Sequence, residues 1–174
     1  MNIRFYLNIV FLILLASLVV LFQYSIISLW PYPFYLINLI IPSLIILFLT
    51  KSNSSVWVFA ISSAIILDFL YFNFLGLNLI IIFVIVFLMQ MWLRNWFAKL
   101  SIYSFIVLAV LSVLIKNIIY YGFVNISLII NLNFWQDMLW EILWTVLLTI
   151  IFFYLSLKIN KNLKPAFLGR RPLS

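Results

Sequence analysis

Six long apolar segments, separated by short polar or turn-forming stretches, run through the chain. A helix needs about 20 apolar residues to cross the roughly 30 Å hydrocarbon core of a bilayer, and the segments approach that length. The pattern therefore predicts an all-α integral membrane protein, a compact bundle of six transmembrane helices joined by short loops. The predicted spans cover residues 5–22, 34–50, 56–75, 77–93, 102–121 and 135–157.

Basic residues divide the predicted loops into two sets. Three of the loops contain no Lys or Arg. Since basic loops stay on the cytoplasmic side of a membrane, we expect both termini to lie there (N-in/C-in). Nine of the ten basic residues agree with this topology, namely Arg4, Lys51, Arg94, Lys99, Lys158, Lys161, Lys164, Arg170 and Arg171.

The composition agrees with a surface that faces lipid. Hydrophobic residues make up 68% of the 174-residue chain and charged residues 7%, whereas a soluble domain carries roughly 25% charged residues. The length fits one six-helix transmembrane domain, residues 1–157, followed by a basic cytoplasmic tail, residues 158–174. The net charge of +7 lies mainly at the ends of apolar segments. This position favours anionic membrane lipids over nucleic acid as partners.

Few residues are available for catalysis. The chain has no Cys and no His, which excludes a thiol nucleophile, an imidazole base and a Cys/His zinc site. Asp68, Asp137 and Glu141 are its carboxylates, and it has three glycines. No paired acidic magnesium motif and no glycine-rich phosphate loop is present. We therefore expect no enzymatic activity, no cofactor and no metal site.

Asp68, Lys116 and Glu141 are charged residues that lie well inside predicted spans. At a rise of about 1.5 Å per residue, all three lie at a similar depth in the outer half of the bilayer. Because an isolated charge at the bilayer centre costs at least about 2.5–3.5 kcal/mol, we predict that Lys116 pairs with Asp68, Glu141 or both. Two alternatives stay open: Asp68 caps a turn or reaches the headgroups, and Lys116 extends outward along its aliphatic stem.

Turn-forming residues shape two further places in the chain. Asn73, Gly76 and Asn78 surround a very short connection between the third and fourth spans. This connection predicts that the two spans pack as an antiparallel hairpin. Pro42 lies inside the predicted second span, where we expect it to kink the helix.

The segment at residues 61–79 reads ISSAIILDFLYFNFLGLNL and resembles the bacterial rod shape-determining protein MreD family. That family carries a helix ending in Leu-Asp, a short turn, and a Leu-Gly that opens the next helix, with a Pro-polar-Leu step in the second span. Length, span count and orientation agree with the family over nearly the whole chain. The matching residues are Leu67, Asp68, Leu75, Gly76 and Pro42.

The resemblance implies a non-catalytic scaffold subunit of the machinery that elongates the cell wall and maintains rod shape. The implied location is the bacterial inner (cytoplasmic) membrane. The implied direct partner is an MreC-like periplasmic protein, which links the subunit to actin-like MreB, RodA and a class B penicillin-binding protein. A scaffold of this kind predicts no small-molecule pocket.

The MreD fold is also similar to the substrate-binding subunits of energy-coupling-factor vitamin transporters, which provide the alternative function. Such a subunit needs a polar, aromatic-lined cavity that opens outward. Asp68, Lys116 and Glu141 could line this cavity, with Trp140 and Trp144 nearby.

Overall fold

The computed structural model describes residues 3–50, 53–71, 76–95, 102–124 and 132–159, and these residues are all helical or connect helices. The predicted all-α class is confirmed for this part of the chain. Two short 3-10 helices, Ile27–Leu29 and Phe34–Leu36, lie in the first connection. The α-helices are α1 (Ile3–Ser25), α2 (Ile40–Thr50), α3 (Asn53–Tyr71), α4 (Leu77–Asn95), α5 (Ile102–Val124) and α6 (Leu132–Ile159).

Helix α2 begins later than predicted, while the other described helix limits lie within a few residues of the predicted ones. The Asn38 side chain fixes this start. Its Oδ1 accepts hydrogen bonds from the backbone N–H groups of Ile40 (3.0 Å) and Ile41 (3.3 Å), as a helix N-cap does. Pro42 therefore lies in the first turn of α2, where a missing N–H is well tolerated. The prediction that Pro42 lies inside a longer helix and kinks it is wrong.

The short helix α2 lies at the centre of the bundle. It contacts α3, α5 and α6, and its described side chains are all buried or half-buried. Leu44 belongs to a core cluster shared with α1, α3 and α4, whereas Ile45 belongs to a second cluster shared with α4, α5 and α6. A helix that is apolar on every side is expected to be buried in this way.

The outer faces of the other five helices carry exposed Leu, Ile, Val and Phe side chains. Four helices are long and apolar enough to cross a membrane, and two shorter apolar helices accompany them. These helices indicate a membrane protein. The four long segments are Tyr6–Leu29, Asn53–Tyr71, Ile102–Phe123 and Asn133–Lys158, and the shorter ones are Phe34–Phe48 and Leu77–Trp92.

Candidate functional site

Asp68, near the end of α3, caps the beginning of α4. Its carboxylate accepts hydrogen bonds from the backbone N–H groups of Gly76 (3.1 Å), Asn78 (3.0 Å) and Leu79 (3.3 Å), and from the side-chain amide of Asn78 (3.0 Å). The N–H groups in the first turn of a helix have no partner within the helix. The carboxylate charge also interacts favourably with the positive end of the helix dipole. Asp68 therefore joins the two helices of the hairpin.

Gly76 occupies the position from which a side chain would normally provide this cap. Its carbonyl accepts the first hydrogen bond of α4, from the Ile80 N–H (2.9 Å). Its φ is +96°, a backbone conformation that glycine adopts without steric cost. Because glycine has no side-chain acceptor, the carboxylate of Asp68 on the neighbouring helix accepts these hydrogen bonds instead. Asp68 and Gly76 thus belong to one structural unit.

A cavity of about 230 Å³ lies where the ends of α1, α3 and α5 meet the beginnings of α2, α4 and α6. Successive helices therefore run in opposite directions through the bundle. The three connections at this end of the bundle contain no Lys or Arg. Each helix contributes a lining residue at or next to its beginning or end. In chain order these residues are Gln23, Asn38, Tyr71, Asn78, Tyr121 and Phe134.

Glu141 of α6 is the centre of a hydrogen-bond network in the wall of this cavity. Its Oε1 forms an ion pair with the Lys116 ammonium and accepts a hydrogen bond from the Asn38 amide (3.1 Å). Its Oε2 accepts a hydrogen bond from the Asn117 amide (2.8 Å). Only 6% of the Glu141 side chain is exposed, and such a buried carboxylate requires donors of this kind. The network connects the start of α2 to α5 and α6.

Asp137 lies one helical turn before Glu141 and also borders the cavity. The Asp137 carboxylate and the Trp140 indole both lie close to the hydroxyl of Tyr32, in the connection between α1 and α2, and both act on its pKa. Partial loss of hydration, followed by the negative charge of Asp137, raises the pKa of Tyr32 above its ordinary value of 10.0. At neutral pH the Tyr32 hydroxyl is therefore protonated and stays neutral beside the Asp137 carboxylate.

The structure brings together two of the three charged residues that the sequence singles out. Lys116 pairs with Glu141, whereas the hydrogen bonds of Asp68 go to the start of α4. Asp68 is not among the described residues that line the cavity. It caps a turn instead, which is one of the alternatives that the sequence leaves open. Whether the Asp68, Lys116 and Glu141 layer serves a function stays a prediction.

The sequence predicts that Trp140 and Trp144 lie near the cavity. The Trp140 indole contacts the Tyr32 hydroxyl at the rim. Trp144 packs against Phe34, with ring centroids 5.2 Å apart. Neither is among the described residues that line the cavity, so its aromatic walls come from tyrosines and Phe134 instead.

The sequence alone does not predict the amides that complete the site. Asn38 and Asn117 hold Glu141, and the Gln23 side chain accepts a hydrogen bond from the Leu39 N–H (3.0 Å). A signal exists for Asn38, because an Asn just before an apolar helix is a common N-cap pattern. A single amide inside a long apolar segment, such as Asn117, gives no indication of which helix it faces.

Among the residues that the structure describes, no three Asp, Glu, Cys or His side chains come together in a way that could hold a metal ion. Comparisons of the chain with protein-family models, curated protein sequences and solved structures find no match. The functional proposals therefore rest on the sequence motifs and on the geometry of the site.

Proposed function

We propose that the chain crosses the bacterial inner membrane six times, with both termini in the cytoplasm and the cavity end on the outer side. The alternating helix directions support this topology, and so does the absence of Lys and Arg from the three connections at the cavity end. The short helix α2 fits the proposal because it is surrounded by other helices. Non-helical backbone at membrane depth, such as the stretch before α2, is tolerated where it lines a cavity or is buried in protein.

Within this topology, the protein acts as a non-catalytic scaffold subunit of the cell-wall elongation machinery, similar to MreD. Its direct partner is an MreC-like periplasmic protein, through which it is linked to actin-like MreB, RodA and a class B penicillin-binding protein. The observation that carries the proposal is the cap that Asp68 forms with Gly76, since residues of the family motif act together in it. The apolar outer faces of five helices offer surfaces for partner helices.

Depletion of the protein in a rod-shaped host tests the scaffold function. We expect depleted cells to become round and re-expression of the wild type to restore rods. Asp137→Asn, which leaves the hairpin cap intact, should also restore rods, whereas Asp68→Ala should not. Co-purification of an MreC-like protein from detergent extracts would identify the direct partner. Rods of normal width after depletion would reject the proposal.

The cavity favours a second candidate, the substrate-binding subunit of an energy-coupling-factor-type vitamin transporter. A scaffold does not require a polar cavity, whereas ligand sites are concave and combine aromatic walls with a few polar groups. Here Tyr71, Tyr121 and Phe134 lie beside the amide and charged groups. Mass spectrometry of the purified protein separates the two candidates. A retained vitamin-like ligand would favour the transporter, and ligand-free protein bound to an MreC-like partner would favour the scaffold.

A further inference from the structure

The two charges of the Lys116–Glu141 ion pair differ in the hydrogen bonds that they can still form inside the cavity. Of the Lys116 side chain, 31% is exposed, against 6% of the Glu141 side chain. Glu141 already accepts hydrogen bonds from Asn38 and Asn117 in addition to its contact with Lys116. An ammonium has three N–H donors, and the contact with Glu141 engages one of them. Lys116 can therefore donate to a molecule inside the cavity, whereas Glu141 is largely occupied.

A carboxylate borders the same cavity nearer the start of α6. Asp137 is half-buried and lies close to the Tyr32 hydroxyl. A carboxylate has about four lone-pair sites, so Asp137 can accept further donors. Because Asp137 and Glu141 are four residues apart on one helix, the rim carboxylate and the ion pair are separated by about 6 Å along the helix axis.

Aromatic side chains line the same cavity as these charged groups. Tyr71, Tyr120, Tyr121 and Phe134 all line the cavity, and the rings of Tyr121 and Phe134 meet edge to face with centroids 4.7 Å apart. Aromatic rings accept both aliphatic chains and amino groups. The volume of about 230 Å³ corresponds to about eight water molecules, which is enough for a small organic molecule.

We propose that this cavity binds a small organic zwitterion, whose carboxylate contacts Lys116 and whose amino group contacts Asp137. The placement of charge supports this class, because Lys116, paired with Glu141, has further donors, and Asp137, one helical turn before Glu141, has further acceptor sites. A zwitterion can set each of its charges against the opposite charge, whereas a simple anion or a simple cation can satisfy only one of the two groups. The inference does not rest on the scaffold function; it assigns a ligand class to the cavity on which the transporter candidate rests.

Binding of linear ω-amino acids of increasing chain length to the purified protein in detergent tests the proposal by titration calorimetry. We expect saturable binding with an optimum at one chain length, because the charge separation must match that between Lys116 and Asp137. The alkanoate and the alkylamine of the same length should bind at least about tenfold more weakly, which is about 1.4 kcal/mol.

Variants locate the two ends of the ligand. Asp137→Asn should weaken binding of the best ω-amino acid at least about tenfold and should not weaken binding of the matching alkanoate. Lys116→Gln should weaken both. Lys158→Gln, which changes an exposed lysine near the end of α6, is the control and should change neither. Unaltered thermal unfolding shows that the Asp137 variant is folded.

Three results would overturn the proposal. They are no saturable binding of any ω-amino acid up to about 10 mM, no dependence on chain length, or unchanged affinity in Asp137→Asn. None of these results affects the cell-shape test, so the scaffold proposal stands or falls separately.

Discussion

Removal of the Asp68 carboxylate should destabilise the bundle more than removal of any exposed charge. Its oxygens accept hydrogen bonds from three backbone N–H groups at the start of α4. A donor left without its partner costs about 1–3 kcal/mol. Because water can reach a turn in part, we use the lower half of that range. We therefore expect Asp68→Ala to lower the free energy of unfolding by about 4 kcal/mol.

The isosteric variant Asp68→Asn provides a graded comparison. Its single carbonyl oxygen can still accept hydrogen bonds, but the amide group meets N–H donors, and the interaction with the helix dipole is lost. We expect a loss of about 2 kcal/mol, between wild type and Asp68→Ala. Far-UV circular dichroism during heating measures the effect. About 4 kcal/mol corresponds to a fall in Tm of about 8–16 °C for a domain of this size.

Asp137→Asn is the matched control, since it changes a half-buried carboxylate of the same chemistry away from the hairpin. Its effect should stay within about 0.5 kcal/mol. Unfolding of Asp68→Ala at the wild-type temperature, or a lower stability of Asp68→Asn than of Asp68→Ala, would refute this prediction.

Three further predictions concern the same end of the bundle. Gly76→Ala should lower the free energy of unfolding by about 1–2 kcal/mol because of the positive φ. No atom lies within 4 Å of an added Cβ, so a steric clash adds nothing to this cost. A neutral result in thermal unfolding would contradict the prediction. Glu141→Gln should cost about 2–3 kcal/mol, because Lys116 loses its charged partner. Addition of Lys116→Met should recover part of that loss, and strict additivity in the double-mutant cycle would argue against coupling. Because the pKa of Tyr32 is raised in the folded state, the protonated hydroxyl contributes to the stability of the fold. This contribution is complete below the ordinary pKa near 10 and is lost as the pH rises through the folded pKa. The stability of wild type relative to Tyr32→Phe should therefore fall in unfolding experiments above about pH 10, and a constant difference would count against it.

The helices could be predicted because their signal is local. A long apolar segment bounded by turn-forming residues specifies a helix without reference to the rest of the chain. The start of α2 could not be predicted in this way. Residues 34–39 are mostly apolar, yet Asn38 interrupts the helix there, with its Oδ1 capping α2 and its amide bonded to Glu141. The second contact joins residues 103 positions apart, which no local pattern reveals.

The partner of Lys116 shows a different limit. Counting residues along a helix gives the depth of a charge, but it does not give the direction in which the side chain points. Asp68 and Glu141 were therefore equivalent partners in the sequence. In the structure α5 packs beside α6, and Lys116 reaches Glu141. Asp68 is instead engaged by the beginning of α4, whose position depends on the turn between the two helices.

Site-directed labelling measures the proposed topology most directly, and the absence of native cysteine removes any background. Leu29→Cys places a thiol at an 82% exposed position in the connection between α1 and α2, at the cavity end. Lys158→Cys places one near the other end of α6. In spheroplasts treated with a membrane-impermeant maleimide, we expect Leu29→Cys to be labelled and Lys158→Cys to be labelled only after lysis. Labelling of Lys158→Cys in intact spheroplasts, with Leu29→Cys protected, would contradict the account.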